Sequence, residues 1–355
     1  GPSAWPDRGL VLRLVDANLA RLGEGLRVLE DVSRFLLNDA AISKRLKAMR
    51  HTLVKDLGPL KQELLAARRV VQDVGAPTAG RAASQHRDLP ALVAANSRRV
   101  QESLRVLEEF SRVSGTPLSG KAGSFEKARF EAYDLEQQLV GRLLRHDKAA
   151  RLNGLYLVLD TTALKVRDEV EVAAAAIRGG VKTIQLRDKQ RGKTDLLAAA
   201  RRLRALCAPK GVLFIMNDHL DIALAAGADG LHLGQDDLPP AEARRILPID
   251  MLIGCSTHSA TEAVRAQANG ADYVALGSIY PTTSKEKYKL VGLETLRRTR
   301  SKVSVPLIAI GGINHTNVQE VVAAGADGAA VISAVLGADD VEKASGKLAA
   351  KMKRI

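Results

Sequence analysis

The chain is 355 residues long, 46% hydrophobic and 26% charged. That composition excludes a disordered polymer and suffices for two domains, or one large domain with an appendage. The net charge of +13 divides almost evenly, with 25 basic and 18 acidic groups in residues 1–148 and 28 and 22 in the rest; there is no basic block, and aromatic residues are only 3%, so phosphorylated small molecules explain the excess better than nucleic acid does.

Residues 1–6, "GPSAWP", read as a cleavage scar joined to a truncated start and are set aside. No apolar run approaches the roughly eighteen residues of a membrane span, and neither Cys207 nor Cys255 has a nearby partner. No membrane association and a reducing, cytoplasmic setting are expected; a homo-oligomer stays open.

Residues 7–148 read as an all-α domain. Apolar residues recur at three and four, as in Leu19, Leu22, Leu26 and Leu29, with no alternating strand pattern. Breaks fall at "DLGPL" (56–60), "DVGAPTAG" (73–80) and "SGTPLSGKAGS" (114–124), and a last long helix is predicted over about 124–145. The half contains an internal duplication: "ANLARLGEGLRVLEDVSR" (17–34) returns 78 positions later as "ANSRRVQESLRVLEEFSR" (95–112), with eleven of eighteen letters identical. The repeated letters include Asn18/Asn96, Arg21/Arg99, Glu24/Glu102, Arg27/Arg105, Glu30/Glu108 and Arg34/Arg112. On a helical wheel the leucines form one stripe, and Arg21, Glu24, Arg27, Glu30 and Arg34 fall on the opposite arc. Solvated i,i+4 pairs explain charges there, but not their retention in both copies, which leaves a shared site or a buried polar seam. The half has no phosphate loop ending in Lys-Ser or Lys-Thr, no metal-spaced Cys/His cluster and no dinucleotide fingerprint.

From residue 152 eight short apolar runs alternate with alanine-rich helices, and a signal of the form "AAGADGLHLGQ" repeats between them. The α/β fold expected over 149–355 is a (β/α)₈ TIM barrel, in which polar residues just past the strands share one mouth. Those residues are Gln185, Arg187, Asp188 and Lys189 after strand 2, Asn217 and Asp218 after strand 3, and Gln235, Asp236 and Asp237 after strand 4. Ser256 and His258 follow strand 5, Thr282, Thr283, Ser284 and Lys285 follow strand 6, and Gly311, Gly312, Ile332 and Ser333 close strands 7 and 8. Asp218 and Asp237 suit one Mg²⁺ or two helix N-caps; Arg187, Lys189 and Lys285 nearby favour a metal with a polyphosphate. Gly312 and Ser333 offer backbone N–H groups to a phosphomonoester, with a plain turn as the alternative for Gly312. His258 is left without a role, and Cys255 reads as core.

Six ordered motifs, "QLRDK", "ND", "HLGQDD", "GCSTH", "PTTSK" and "GGI…VIS", resemble the thiamine phosphate synthase family over about residues 152–350. The resemblance implies condensation of hydroxymethylpyrimidine diphosphate with thiazole phosphate, releasing pyrophosphate without a protein nucleophile. It implies that Gln185, Leu186, Arg187, Asp188, Lys189, Asn217, Ser256 and Lys285 hold the pyrimidine diphosphate, with Arg187, Lys189 and Lys285 stabilising the leaving group. Asp218 and Asp237 would hold Mg²⁺, and Thr282, Thr283, Ser284, Gly312, Ile332 and Ser333 the thiazole phosphate. Ser284 departs from the family's usual threonine but keeps the hydroxyl. A thiazole tautomerase-like or non-catalytic barrel is the alternative, and the retained "QLRDK" and both aspartates argue against it.

In the helical half, "DANLARLGEGLRVLEDVSRF", "QDVGAPT" and "ARFEAYDLEQQL" resemble a small helical family found joined to thiamine phosphate synthase, over about residues 12–145. That resemblance implies a hydroxymethylpyrimidine phosphate kinase using ATP and Mg²⁺. Arg27, Arg34, Arg105 and Arg112 are its natural phosphate partners, and Glu30, Asp73 and Glu108 the acidic candidates. An oligomerisation or regulatory arm is the alternative.

Overall fold

The computed structural model describes residues 8–55, 57–68, 86–282 and 288–352. The chain divides into two compact units, Gly1–Leu143 and Leu144–Ile355.

The first unit carries α1 (Arg8–Asp31), α2 (Ala40–Arg50), α3 (Leu60–Ala67), α4 (Leu89–Ser111) and most of α5 (Ala122–Ala150). The spacing of three and four turns Leu12, Val15, Leu19, Leu22, Leu26 and Leu29 inward, and all six are buried. Asp39 caps α2 through the N–H groups of Ala41 and Ile42, both at 3.0 Å, and Asp88 caps α4 through that of Ala91 at 2.9 Å. The duplicated segments lie in α1 and α4, which cross closely: a Cβ on Gly25 would sit 2.8 Å from Val100 Cγ2 and 3.2 Å from the Asn96 carbonyl oxygen. Gly25 therefore sets how near the two helices come.

The second unit is a closed, all-parallel barrel in sequential order. Its strands are β1 (Gly154–Asp160), β2 (Thr183–Arg187), β3 (Leu213–Asn217), β4 (Gly230–Leu233), β5 (Leu252–Thr257), β6 (Tyr273–Gly277), β7 (Leu307–Ile310) and β8 (Gly328–Val331). Helices follow each strand: α6 (Thr161–Leu164) and α7 (Glu169–Arg178), α8 (Lys193–Cys207), α9 (Leu220–Ala226), α10 (Pro240–Ile246), α11 (Ala260–Ala268), α12 (Gly292–Arg300), α13 (Val318–Ala323), and α14 (Ser333–Leu336) with α15 (Val341–Met352). The alternation of strand residues makes two apolar shells. Leu155, Leu157, Ile184, Leu186 and Phe214 belong to the one packed under the helices, and Tyr156, Val158, Leu213, Ile215, Tyr273 and Ile308 to the one filling the barrel. The repeated "GAD" signal has a mechanical basis. Asp229, Asp272 and Asp327 accept the backbone N–H of Phe214, Ile253 and Leu307 at 2.9, 2.8 and 2.9 Å, tying the start of one strand to the preceding one. Arg204, Arg244 and Arg300 hold these carboxylates at 3.5, 2.5 and 2.6 Å. They sit at the strands' N-terminal ends, where a barrel carries stability rather than chemistry.

Candidate active site

A cavity of about 130 Å³ opens at the C-terminal ends of the strands. It is lined by Gln185, Arg187, Asn217 and Ser256 from β2, β3 and β5, and by Thr282, Gly312, Ile332 and Ser333 from the arc after β6, β7 and β8. Residues 185 and 187 face inward on β2, so the Leu186 side chain points the other way and is fully buried under the helices. The Asp188 side chain is engaged by its own loop. Its buried carboxylate accepts the N–H groups of Gln190 and Arg191 at 2.9 Å each and lies 2.6 Å from the Arg191 guanidinium, folding its own loop. Arg187 is held by an ion pair with Asp160 at the end of β1, whose other oxygen accepts from the Thr162 backbone N–H and hydroxyl at 3.0 and 2.6 Å.

Beneath the mouth runs a buried chain of hydrogen bonds that sequence reasoning missed. Gln185 Nε2 donates to the Tyr156 hydroxyl at 2.7 Å, which lies 3.0 Å from the Tyr273 hydroxyl. Tyr273 in turn lies 3.0 Å from His232 Nδ1, and His232 Nε2 is 2.9 Å from Ser256 Oγ. Burial drives both tyrosines well above the ordinary phenol range, so they stay neutral links. Gly254 admits the ring: a Cβ there would lie 2.0 Å from Tyr273 Cζ. The available signal was a polar or aromatic residue at an inward position of an apolar strand, as His232 in "GLHLG" and Tyr156 in "LYLVLD".

Asp218, Asp237 and Lys189 form a second group outside the cavity lining. Asp218 has left-handed backbone (φ 63°), a conformation that aspartate tolerates. Burial, then its hydrogen bond to Asp237 and that group's charge, push Asp218 up to about 6, against a smaller opposing pull from Lys189. Asp237 also accepts the Gly234 N–H at 2.6 Å. Two carboxylates facing each other at such a cost form a donor set that a hard cation relieves. Among the described residues no group of three or more Asp, Glu, His or Cys side chains is placed to hold a metal, so these two would leave most of an octahedral ion's positions to substrate oxygens and water.

On the β6–β8 side the two glycines are dictated by sterics. A Cβ on Gly311 would lie 2.0 Å from Ser278 Oγ, and one on Gly312 would lie 2.3 Å from the Pro281 carbonyl oxygen. Gly312 is thus more than a turn residue, since only a bare backbone lets the β7 loop lie against the β6 loop. Thr283, Ser284 and Lys285 lie outside the described residues, as does Asp73 of the helical half. His258 lines the cavity and is tied to Glu262 Oε2, 2.7 Å through its backbone N–H and 3.4 Å from its ring. Cys255 is buried core, its thiol pushed up to about 12 by burial.

The helical candidates divide. Glu30 and Glu108 do not belong to the solvated arc: both are buried. Glu30 accepts from Arg50 at 2.9 Å, and Glu108 from Arg129 at 2.9 Å, with Arg112 and Arg105 at 2.6 and 3.2 Å. Burial opposes the charged form of Glu108, yet the Arg129 hydrogen bond and the three guanidinium charges hold its carboxyl below the usual range. Arg27 lies 3.9 and 3.8 Å from Glu30 and Asp31, Arg105 and Arg112 also pair with Glu109 at 2.7 and 3.0 Å, and Arg34 stacks over Phe35 at 4.8 Å. Asn18 and Asn96 are buried and each donates to the carbonyl four residues back, Leu14 and Leu92, at 2.9 Å. Arg21, Glu24, Arg99 and Glu102 are exposed.

Comparison with known proteins agrees with both halves. Residues 155–335 match the family described as thiamine monophosphate synthase, and residues 13–138 match the ThiD2 family. The thiamine-phosphate synthase of Thermosynechococcus vestitus is 43% identical over 95% of this chain and 93% of its own length, and that of Synechococcus is 39% identical over 95% of each. The solved thiamine phosphate pyrophosphorylase of Pyrococcus furiosus is 40% identical, with a TM-score of 0.54, over 58% of this chain and 97% of its own. No helix among the described residues is long and apolar enough to cross a membrane. The chain belongs to the thiamine-phosphate synthase family, with a ThiD2-family segment preceding the barrel.

Proposed function

We propose that the barrel of this chain condenses hydroxymethylpyrimidine diphosphate with thiazole phosphate to give thiamine phosphate and pyrophosphate, and that the helical unit makes that diphosphate from the monophosphate and ATP. The observation carrying the first reading is the single cavity that joins Gln185, Arg187, Asn217 and Ser256 to Gly312, Ile332 and Ser333. It offers amide, hydroxyl and guanidinium groups on one arc and open backbone on the other, which suits two phosphorylated ligands meeting at their reactive ends.

Because Gln185 spends its amide N–H on Tyr156, its Oε1 is left to accept from the exocyclic amine of an aminopyrimidine. That ring delocalises positive charge at its methylene carbon, so the C–O bond to the diphosphate breaks ahead of attack by the thiazole nitrogen. The protein's work is then to hold the charge of the departing pyrophosphate. Arg187, kept in place by Asp160, does this with Lys189 and Lys285. Mg²⁺ held by Asp218 and Asp237 would add charge neutralisation of the leaving group. Gly312, Ser333 and Ile332, with Thr282, Thr283 and Ser284, would take the thiazole phosphate.

The test uses the full chain with both phosphorylated substrates and Mg²⁺, read as thiamine phosphate and pyrophosphate. Replacing the diphosphate by the monophosphate with ATP should still yield thiamine phosphate, together with ADP. No product from the ready-made diphosphate would overturn the barrel reading; product from it but no ADP from the monophosphate would overturn only the kinase reading.

A further inference from the structure

The duplicated polar residues of α1 and α4 split into two sets with different surroundings. Glu30, Glu108, Arg27, Arg105 and Arg112 are spent on one another and on Arg50, Arg129, Asp31 and Glu109. Arg21 and Arg99 are exposed, and among the described residues no carboxylate lies within ion-pair distance of either. Packing explains why leucines recur in both copies, and ion pairing explains the first set. Neither explains the second.

The place of the second set is fixed by the crossing at Gly25. Asn18 and Arg21 lie seven and four residues before Gly25, hence on its side of α1. Asn96 supplies the carbonyl and Val100 the side chain that Gly25 approaches, and Arg99 stands between them in sequence. Both asparagines give one amide N–H to the preceding turn, and each has a second N–H that can donate to a phosphoryl oxygen. Leu14/Leu92 and Val28/Val106, also identical in the two copies, are half-buried alongside. A guanidinium with five donors and no carboxylate partner among the described residues fits the oxygens of a phosphoryl group.

We infer that the α1–α4 crossing is the phosphate-binding site of the helical unit, with Arg21 and Arg99 each taking one phosphoryl group. This rests on the kinase reading in one respect, the number of phosphorylated ligands. In that reaction an oxygen of the monophosphate forms a bond to the γ-phosphorus of ATP, and the bond from that phosphorus to the β,γ-bridging oxygen breaks, its electron pair leaving with ADP. Donor and acceptor are both phosphates. A duplicated helix gives each the same kind of partner, which is what the repeat is for.

The full chain tests this through ADP formation from ATP and the pyrimidine monophosphate, ADP binding by titration calorimetry, and condensation from ready-made diphosphate. Arg21→Ala and Arg99→Ala should each lower kcat/KM for ADP formation at least a hundredfold with condensation unchanged, and one of them should weaken ADP binding at least tenfold. Arg98→Ala, at an exposed arginine of α4 whose counterpart in the other copy is Ala20, should stay within threefold on all three measures. Normal ADP formation in Arg21→Ala and Arg99→Ala, or an equal loss in Arg98→Ala, overturns the site. So does an oligomer that Arg21→Ala splits into monomers at unchanged phosphoryl transfer, which would make the strip a contact between copies. A wild-type chain that forms no ADP breaks the kinase reading alone; the site then stands if either variant weakens ADP binding tenfold and falls if neither does.

Discussion

The barrel mouth and the duplicated helices use the same vocabulary of Arg, Asp, Glu and Asn, yet they differ in how far the fold fixes each residue's task. A closed parallel barrel sends every residue just past a strand to one end, and alternation decides inward from outward. Position along the strand therefore states the role. A helix radiates side chains in all directions, and Arg21 and Arg27, six residues apart in one repeated word, end in different surroundings: one beside the crossing with no ion pair among the described residues, the other beside Glu30 and Asp31. In the barrel a polar residue is informative by address; in the helices it is informative only once its partners are known.

The largest expected effect tests address in the barrel. Arg187→Ala removes a guanidinium aimed into the cavity and should lower kcat for condensation about a hundred- to a thousandfold, as for loss of one preorganised charge stabiliser. Asp160→Asn keeps Arg187 but loosens its anchor, so a smaller loss, about tenfold, is expected from steady-state kinetics. Equal losses from the two would mean that Asp160 does more than position.

Next comes the contrast between buried and exposed glutamates. Glu108→Ala leaves three arginines around an empty buried position, and breaking such a cluster costs about 3 kcal/mol, read as a Tm drop of about 10 °C for the helical unit. Glu24→Ala, on the exposed strip, should shift Tm by less than about 2 °C. A large drop for Glu24 would place the strip in the architecture as well.

A smaller effect is expected inside the barrel. Tyr273→Phe keeps the ring under Gly254 but removes the hydroxyl that the Tyr156 hydroxyl and His232 Nδ1 meet, costing about 1 kcal/mol, and should raise KM for the pyrimidine diphosphate up to about tenfold by loosening the Tyr156 hydroxyl to which Gln185 donates. An unchanged KM with a lowered Tm would make the chain purely structural.

How much of this was legible followed the same division. The helical and barrel halves, all eight strands and the mouth residues Gln185, Arg187, Asn217, Ser256 and Gly312 could be read from periodicity and strand-end position. Where the Leu186 and Asp188 side chains go was not legible because a contiguous motif hides alternation: neighbouring letters of "QLRDK" face opposite ways or fold back on their own loop. Glu30 was placed on the solvated arc because a wheel assigns faces by the apolar residues and cannot see that Arg50, twenty positions on, returns to cover it. Tyr156, His232 and Tyr273 went unnoticed because their role lies in one another, and they sit up to 117 residues apart.

The subtlest consequence concerns the two aspartates, whose mutual repulsion should be visible without substrate. Asp218 is raised from 3.8 to about 6 in the folded chain, so the folded state holds the proton more tightly than the unfolded state does. Its contribution to stability is then fully present below about pH 4 and is lost as pH rises through about 6. Asp218→Asn removes the charge but keeps the shape. In the absence of divalent cations, wild type and Asp218→Asn should therefore unfold at similar temperatures near pH 4, with the variant gaining on wild type up to about pH 7. Asp218 is only half-buried, so solvent screening discounts the shift to about 1 kcal/mol, roughly 3 °C. Calorimetric scans across this pH range in EDTA read it directly. A constant offset between the two proteins would show that the carboxylates do not share a proton, and the case for a cation between them would lose its electrostatic basis. A gap that opens with pH and then closes when Mg²⁺ is added to wild type would tie the strain in the fold to the proposed cation site.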